Sequence, residues 1–166
     1  MKMVIVGASG RSGTELAKQA LEQGHDVTAL VRNEDKMREK VPDQKLKVET
    51  VDVTSVESLT PHFKGKDAVV NALSHVGELK DTVTIFSESM KAIVPATRNA
   101  NVRRLLTLSA WFTFELPLIE KENATQVSGV QGKMSRGDVA RFVLATLSSD
   151  KYKGKAVAVI TVQNEK

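Results

Sequence analysis

The sequence predicts an α/β fold: a parallel sheet covered by helices on both faces. Two observations carry this. Short β-branched apolar runs alternate with helical segments five times between Met3 and Leu108. Three glycines, Gly7, Gly10 and Gly13, mark the first strand-to-helix junction. The length of 166 residues suits one domain with a proper core, taken here as residues 1–166.

Met3-Val4-Ile5-Val6 is a short apolar run ending at glycine, which reads as a buried strand. Thr14 to Gln23 follows as a helix, with Leu16, Ala17, Ala20 and Leu21 as its apolar stripe and Gly24 as its stop. Asp26 to Val31 is the second strand, and Asn33 to Lys40 a short charged helix or turn ending near Pro42. Leu46 to Val51 is the third strand, and Val56 to Phe63 a short helix. Asp67 to Leu73 is the fourth strand. Asp81 to Asn99 is a long helix with a kink expected at Pro95. Arg104 to Leu108 is the fifth strand.

Phe112 to Ile119 looks like a further strand but follows the fifth almost at once. A parallel neighbour needs a crossover of roughly a dozen residues, and only Ala110 and Trp111 intervene. Either this segment is not a parallel strand, or a crossover is missing between Trp111 and Phe112. Ser135, with Asp138 three residues on, opens a last helix in the manner of a capping box. It runs to about Leu147. Lys155 to Val162 reads as a final strand.

Composition excludes several function classes. The charged fraction is 27% and the hydrophobic fraction 41%, as in soluble globular proteins. No apolar run reaches membrane-span length, and no leader pattern opens the chain. With no cysteine there is no disulfide framework or thiolate metal site. A cytoplasmic location is the default expectation. The net charge of +4 brings nucleic acid into question, but Lys36, Arg38 and Lys40 interleave with Asp35 and Glu39 as a mixed solvated face. Aromatics make up 4%, too few for a base-stacking platform. A mild positive balance also suits a small anionic ligand.

The glycine loop offers a site for such a ligand. Gly7 permits a tight turn, Gly10 lets backbone approach a pyrophosphate, and Gly13 lets helix and strand pack closely. Helix N-terminal N–H groups then hold the phosphates, with Ser9, Arg11 and Ser12 as further donors. No Gly-Lys-Ser/Thr closes the loop, so it is not a P-loop. The fold class becomes specific: a Rossmann-type doubly wound parallel sheet in a single domain, binding a nicotinamide dinucleotide. A carboxylate at the end of the second strand usually takes the ribose 2′-OH of NAD. Here Arg32 stands there, and a guanidinium suits a 2′-phosphate. NADPH is favoured over NADH, with Lys36 in support, although Glu34 or Asp35 can also swing toward a 2′-OH. Asp52 and Val53 close the third strand where adenine would lie, and Asp52 equally reads as an ordinary turn residue.

Taken together, Gly7-Ala8-Ser9-Gly10-Arg11-Ser12-Gly13, Val27 to Arg32, Asp52-Val53, Asp67 to Val70 and Ser135 to Ala140 resemble the atypical short-chain dehydrogenase/reductase group of NAD(P)H-binding proteins. Within it the flavin reductases, or biliverdin-IXβ reductases, are most alike. The resemblance implies pyrophosphate on Gly7 to Gly13, the 2′-phosphate on Arg32, adenine by Asp52 and Val53, and Leu73, Ser74 and His75 beside the nicotinamide half. It implies a serine after the fifth strand near nicotinamide and substrate. Ser109 is the candidate catalytic residue, within one position of register. Relatives often carry a second small hydroxyl residue there, where this chain has Ala110. The chain is also shorter than the resemblance implies, by about a helix and its connections, near Trp111.

The Tyr-x-x-x-Lys pair of ordinary short-chain dehydrogenases is absent. The one tyrosine, Tyr152, is followed four positions on by Ala156. The expected chemistry is direct hydride transfer from NADPH to a planar acceptor such as FMN or biliverdin, with the cofactor carrying the reaction. Trp111 is a candidate wall of the acceptor pocket. His75 lies at the ligand-binding edge. His25 and His62 read as surface residues, and no metal site is expected. A monomer or weak dimer is expected, without nucleic acid or membrane partners. The rival reading is an NADP(H)-binding redox-sensing regulator without turnover.

Overall fold

The computed structural model describes residues 1–73, 84–109 and 135–155. The elements in chain order are β1 (Lys2–Val6), α1 (Arg11–Glu22), β2 (Asp26–Val31), α2 (Glu34–Lys40), β3 (Lys47–Thr50), α3 (Val56–Phe63), β4 (Ala68–Asn71), α4 (Ile85–Asn99), β5 (Arg104–Thr107) and α5 (Arg136–Leu147). The strands form one parallel sheet in the order β3-β2-β1-β4-β5. β1 lies at its centre, with Met3 beside Val27 of β2 on one side and Ala68 of β4 on the other.

Alternation along β1 divides the interior. Met3 and Ile5 face one core, with Leu16, Ala17 and Ala20 of α1 and Val143, Leu144 and Leu147 of α5. Val4 and Val6 face the other, with Leu59 and Phe63 of α3 and Ala92, Ile93 and Ala96 of α4. A strand covered on both faces must be apolar throughout, which is why Met3 to Val6 reads as an unbroken hydrophobic run. The sheet is therefore doubly wound, as predicted.

Most element boundaries fall within two residues of expectation, and the departures have local causes. α1 starts at Arg11 rather than Thr14, because Gly10 takes an extended conformation (φ −69°, ψ 166°) and acts as N-cap. Gly13 thus lies inside the helix. α2 starts at Glu34 because the Asn33 side chain accepts from the Lys36 N–H at 2.9 Å. β3 is shorter than predicted, and Asp52 falls in the turn beyond it. α4 spans Pro95. The predicted part of this helix before residue 84 lies outside the described residues.

Ser135 caps α5 by accepting from the Asp138 N–H at 3.0 Å. Its hydroxyl also donates to the Asp138 carboxylate at 2.6 Å. The acid therefore reaches back to the cap side chain, where a capping box would have it bond the cap N–H. Arg104, the first residue of β5, closes the other end of α5. Its guanidinium donates to the carbonyls of Thr146 at 3.3 Å and Ser149 at 2.8 Å and pairs with Asp150. The segments predicted as strands at 112–119 and 156–162 lie outside the described residues, as does the crossover question near Trp111. Lys155 is in no strand.

Candidate active site

All strands are parallel, so their carboxyl ends share one edge of the sheet. Chain order runs outward from β1 through β2 to β3 on one side, and from β4 to β5 on the other. That reversal makes the carboxyl ends of β1 and β4 the topological switch point, beside which ligands bind in such sheets. Gly7 follows β1 and Leu73 follows β4, and the two pack closely against each other at this switch point.

The loop from Gly7 to Gly13 is built by close approach. Gly7 has φ +76°, and a Cβ there would stand 2.9 Å from the Leu73 backbone. A Cβ on Gly13 would stand 2.5 Å from the Gly7 carbonyl oxygen and 2.8 Å from Ala8 Cα. Each glycine therefore occupies space that a side chain would fill.

The loop carbonyls are all accounted for. Gly7 O accepts from Gly10 N–H at 3.0 Å, and Gly10 O accepts from Thr14 N–H at 2.9 Å. Ala8 O accepts from the Thr14 hydroxyl at 3.2 Å. Ser9 O accepts from the Lys40 ammonium at 2.6 Å. By contrast, the N–H groups of Arg11, Ser12 and Gly13, the first turn of α1, have no acceptor among the described residues. The loop thus offers donors and conceals acceptors, as an anion site requires. A dinucleotide pyrophosphate fits this cradle.

At the end of β2, Arg32 is exposed and its guanidinium has no partner among the described residues. Glu34, one of the two carboxylates near the end of β2 able to reach a ribose, is held by Arg38 at 2.6 Å. Asp35 is exposed. The Lys36 side chain shares a helix face with Lys40 one turn on. The interleaved charges of α2 are therefore not uniformly solvated: Lys40 is half-buried on the glycine loop, a correction to the mixed-face reading.

Asp52 is exposed, and its carboxylate accepts from Thr54 N–H at 2.9 Å and the Thr54 hydroxyl at 2.6 Å. The Thr54 hydroxyl, and then its N–H, hold this carboxyl below the ordinary carboxylate range. Its carboxylate thus organises the turn, and Val53 beside it is buried. Leu73 donates its N–H to the Asn71 side chain at 3.1 Å. Asn71 is itself buried, with Nδ2 3.2 Å from the Met90 sulfur. It braces the backbone that leaves β4 and was not predicted as a site residue. Its signal was a polar residue closing a wholly apolar strand, since a buried amide needs partners. Ser109 is exposed just beyond β5, at the same edge. Ser74, His75, Ala110 and Trp111 lie outside the described residues.

The other titratable candidates lie elsewhere. His25 precedes β2, so it stands at the opposite edge, with Nδ1 3.4 Å from the N-terminal nitrogen. Burial, and then that positive terminus, lower its pKa. Tyr152 packs on Phe142 with ring centroids 5.5 Å apart, beyond the helix end that Arg104 closes. Among the described residues no cluster of three or more metal-ligating side chains occurs, and no helix is long and apolar enough to cross a membrane.

A doubly wound parallel sheet with a glycine-built anion cradle at its switch point defines the class of dinucleotide-binding domains. Residues 7–118 match the NAD(P)H-binding family, and the chain belongs to it. It is 35% identical over 108 residues to the protein YwnB of Bacillus subtilis, covering 65% of this chain and 46% of YwnB. The chain spans less than half the length of the curated relatives it matches. Among solved structures, the oxidoreductase ylbE of Lactococcus lactis superposes with a TM-score of 0.72 at 22% identity, covering 93% of this chain and 88% of that one. ChuY, an anaerobillin reductase of Escherichia coli O157:H7, superposes with a TM-score of 0.68 at 13% identity, covering 88% and 90%. These two likenesses are of fold.

Proposed function

We propose that this chain is an NADPH-dependent oxidoreductase that passes a hydride to a planar acceptor of the flavin or linear tetrapyrrole type. The observation that carries the cofactor preference is the pairing pattern at the end of β2. Among the described residues Arg32 presents an unpartnered guanidinium, whereas Glu34 is engaged by Arg38. A cation without a partner favours a ligand with a dianionic 2′-phosphate, and bidentate guanidinium–phosphate geometry strengthens it.

The first turn of α1 would hold the pyrophosphate, and the nicotinamide would extend along the ends of β4 and β5. When bound, NADPH supplies the hydride. The protein positions it, with Ser9 and Ser12 as further donors, and Ser109 lies at the edge where an acceptor would stack. A flavin can take its proton from solvent, so the reading requires no strong general acid. A soluble, cytoplasmic monomer or weak dimer is part of the same proposal.

The test is loss of reduced-nicotinamide absorbance with FMN and then biliverdin as acceptor, for NADPH and NADH, repeated with Arg32→Ala. The proposal expects NADPH to be consumed and NADH to be much poorer. A charged hydrogen-bond pair contributes about 1.5–3 kcal/mol, so Arg32→Ala should cut NADPH affinity roughly 10- to 100-fold and abolish the preference. NADPH binding without reduction of any acceptor would sink the reductase reading and favour a redox-sensing regulator.

A further inference from the structure

The four carbonyl oxygens of residues 7 to 10 each have a donor. Three of these donors are local, the Gly10 N–H in the loop and the N–H and hydroxyl of Thr14 in the first turn of α1. The fourth is Lys40, which arrives from the far end of α2, 31 positions along the chain. It is also the only charged donor of the four. Its 2.6 Å contact with Ser9 O is short for an ammonium–carbonyl pair, and Lys40 is half-buried.

The Ser9–Gly10 peptide is therefore held at both ends. Its oxygen is turned toward α2, and its N–H is turned onto Gly7 O. Without the ammonium, that part-buried oxygen would lack a donor beside the cradle, and a turn of the peptide toward a bound phosphate would repel it. Lys36, on the same face of α2, lies one turn nearer Arg32. The helix thus carries one lysine toward the ribose end of the site and another onto the phosphate loop.

We propose that Lys40 is a positioning residue of the dinucleotide site. It latches the Ser9 carbonyl, so that the loop presents N–H groups alone to the pyrophosphate, and it fixes α2 against that loop. The proposal deepens the nucleotide-binding reading above and is independent of the acceptor. Acting through the loop, Lys40 serves every ligand that carries the pyrophosphate. Arg32, by contrast, serves only those with a 2′-phosphate.

The experiment measures dissociation constants of NADPH and NADH by nicotinamide fluorescence for the wild type, Lys40→Met, Lys40→Arg and Arg32→Ala. Methionine keeps the apolar stem of lysine and removes the donor, so the fold should survive. Amide hydrogen exchange of residues 9–13 in the ligand-free protein is followed in parallel. Lys40→Met should weaken both cofactors by a similar factor, about tenfold, leave their ratio unchanged and speed exchange in the loop. Lys40→Arg, which retains a charged donor, should restore most of both.

Unchanged affinity for both cofactors in Lys40→Met would overturn the proposal. A loss confined to NADPH would also overturn it, since Lys40 would then be a direct 2′-phosphate ligand. Failure of the NADPH reading is seen separately, as an Arg32→Ala variant that keeps the wild-type cofactor ratio.

Discussion

Replacing Gly13 by alanine places a methyl carbon 2.5 Å from the Gly7 carbonyl oxygen and 2.8 Å from Ala8 Cα. Both neighbours are backbone and cannot rotate away. Comfortable contact needs about 3.5 Å, so the start of α1 must withdraw from the loop by about 1 Å. Overpacking of this kind costs about 1–3 kcal/mol, against a helix-propensity gain of up to about 1 kcal/mol for alanine over glycine. The net loss of stability should be no more than about 2–3 kcal/mol.

The effect on binding should be larger than the effect on folding. The displaced turn carries the N–H groups of Arg11, Ser12 and Gly13. Hydrogen bonds lengthened by about 1 Å are effectively lost, and each one to a charged group is worth about 1.5–3 kcal/mol. NADPH affinity should therefore fall at least tenfold for the loss of a single bond. Gly24→Ala is the matched control. Its φ is +77° with nothing near a would-be Cβ, so it should cost about 1–2 kcal/mol through left-handed backbone alone. It lies at the opposite edge and should leave affinity untouched. Denaturant midpoints and fluorescence titrations measure the two effects. If both variants lose similar stability and both bind NADPH like the wild type, close approach of α1 to the loop is not what makes the site.

Other perturbations separate structure from site. Arg104→Met removes the bonds to Thr146 and Ser149 that close α5. It should cost about 1–2 kcal/mol in urea unfolding with no change in NADPH affinity, and a change in affinity would contradict this purely structural role. Asp52 has a carboxyl pKa lowered by Thr54 from its ordinary 3.8. Its contribution is present above that value and lost as pH falls through the lower folded value. Asp52→Asn, whose amide oxygen can still accept from Thr54, should flatten that acid limb of the stability profile, and an unaltered limb would show that Asp52 does not contribute to it. Together with Arg32→Ala and Lys40→Met, these variants divide the C-terminal edge from the rest of the fold.

Much of this protein was legible in the residue order. Strands buried on both faces must be apolar throughout, so Met3 to Val6 and Ala68 to Val70 announce themselves. Helices with one buried stripe carry a different period, as Leu16 to Leu21 does. Parallel strands place every strand end on one edge, which is why Gly7, Arg32, Leu73 and Ser109 could be assigned to one side of the molecule before any distance was known. The glycines were legible because their function is to lack a side chain at particular points. Asn71 was overlooked because its role depends on what packs across from it, Met90 on a helix 19 positions later.

Local pattern also determined the caps at Asn33 and Ser135, since these bonds span three residues. Tertiary structure alone decided which charges are free. In sequence, Glu34, Arg38 and Lys40 are equal members of a mixed run. In the fold, Glu34 is neutralised by Arg38, Lys40 is drawn onto Ser9, and Arg32 is left without a partner among the described residues. Charge pairing depends on distances of a few ångströms between side chains, and periodicity specifies the face of a helix but not what that face meets. The sequence determined that a glycine turn of the dinucleotide-binding type would form after the first strand; the packing of α2 against that turn decided that Lys40 meets it.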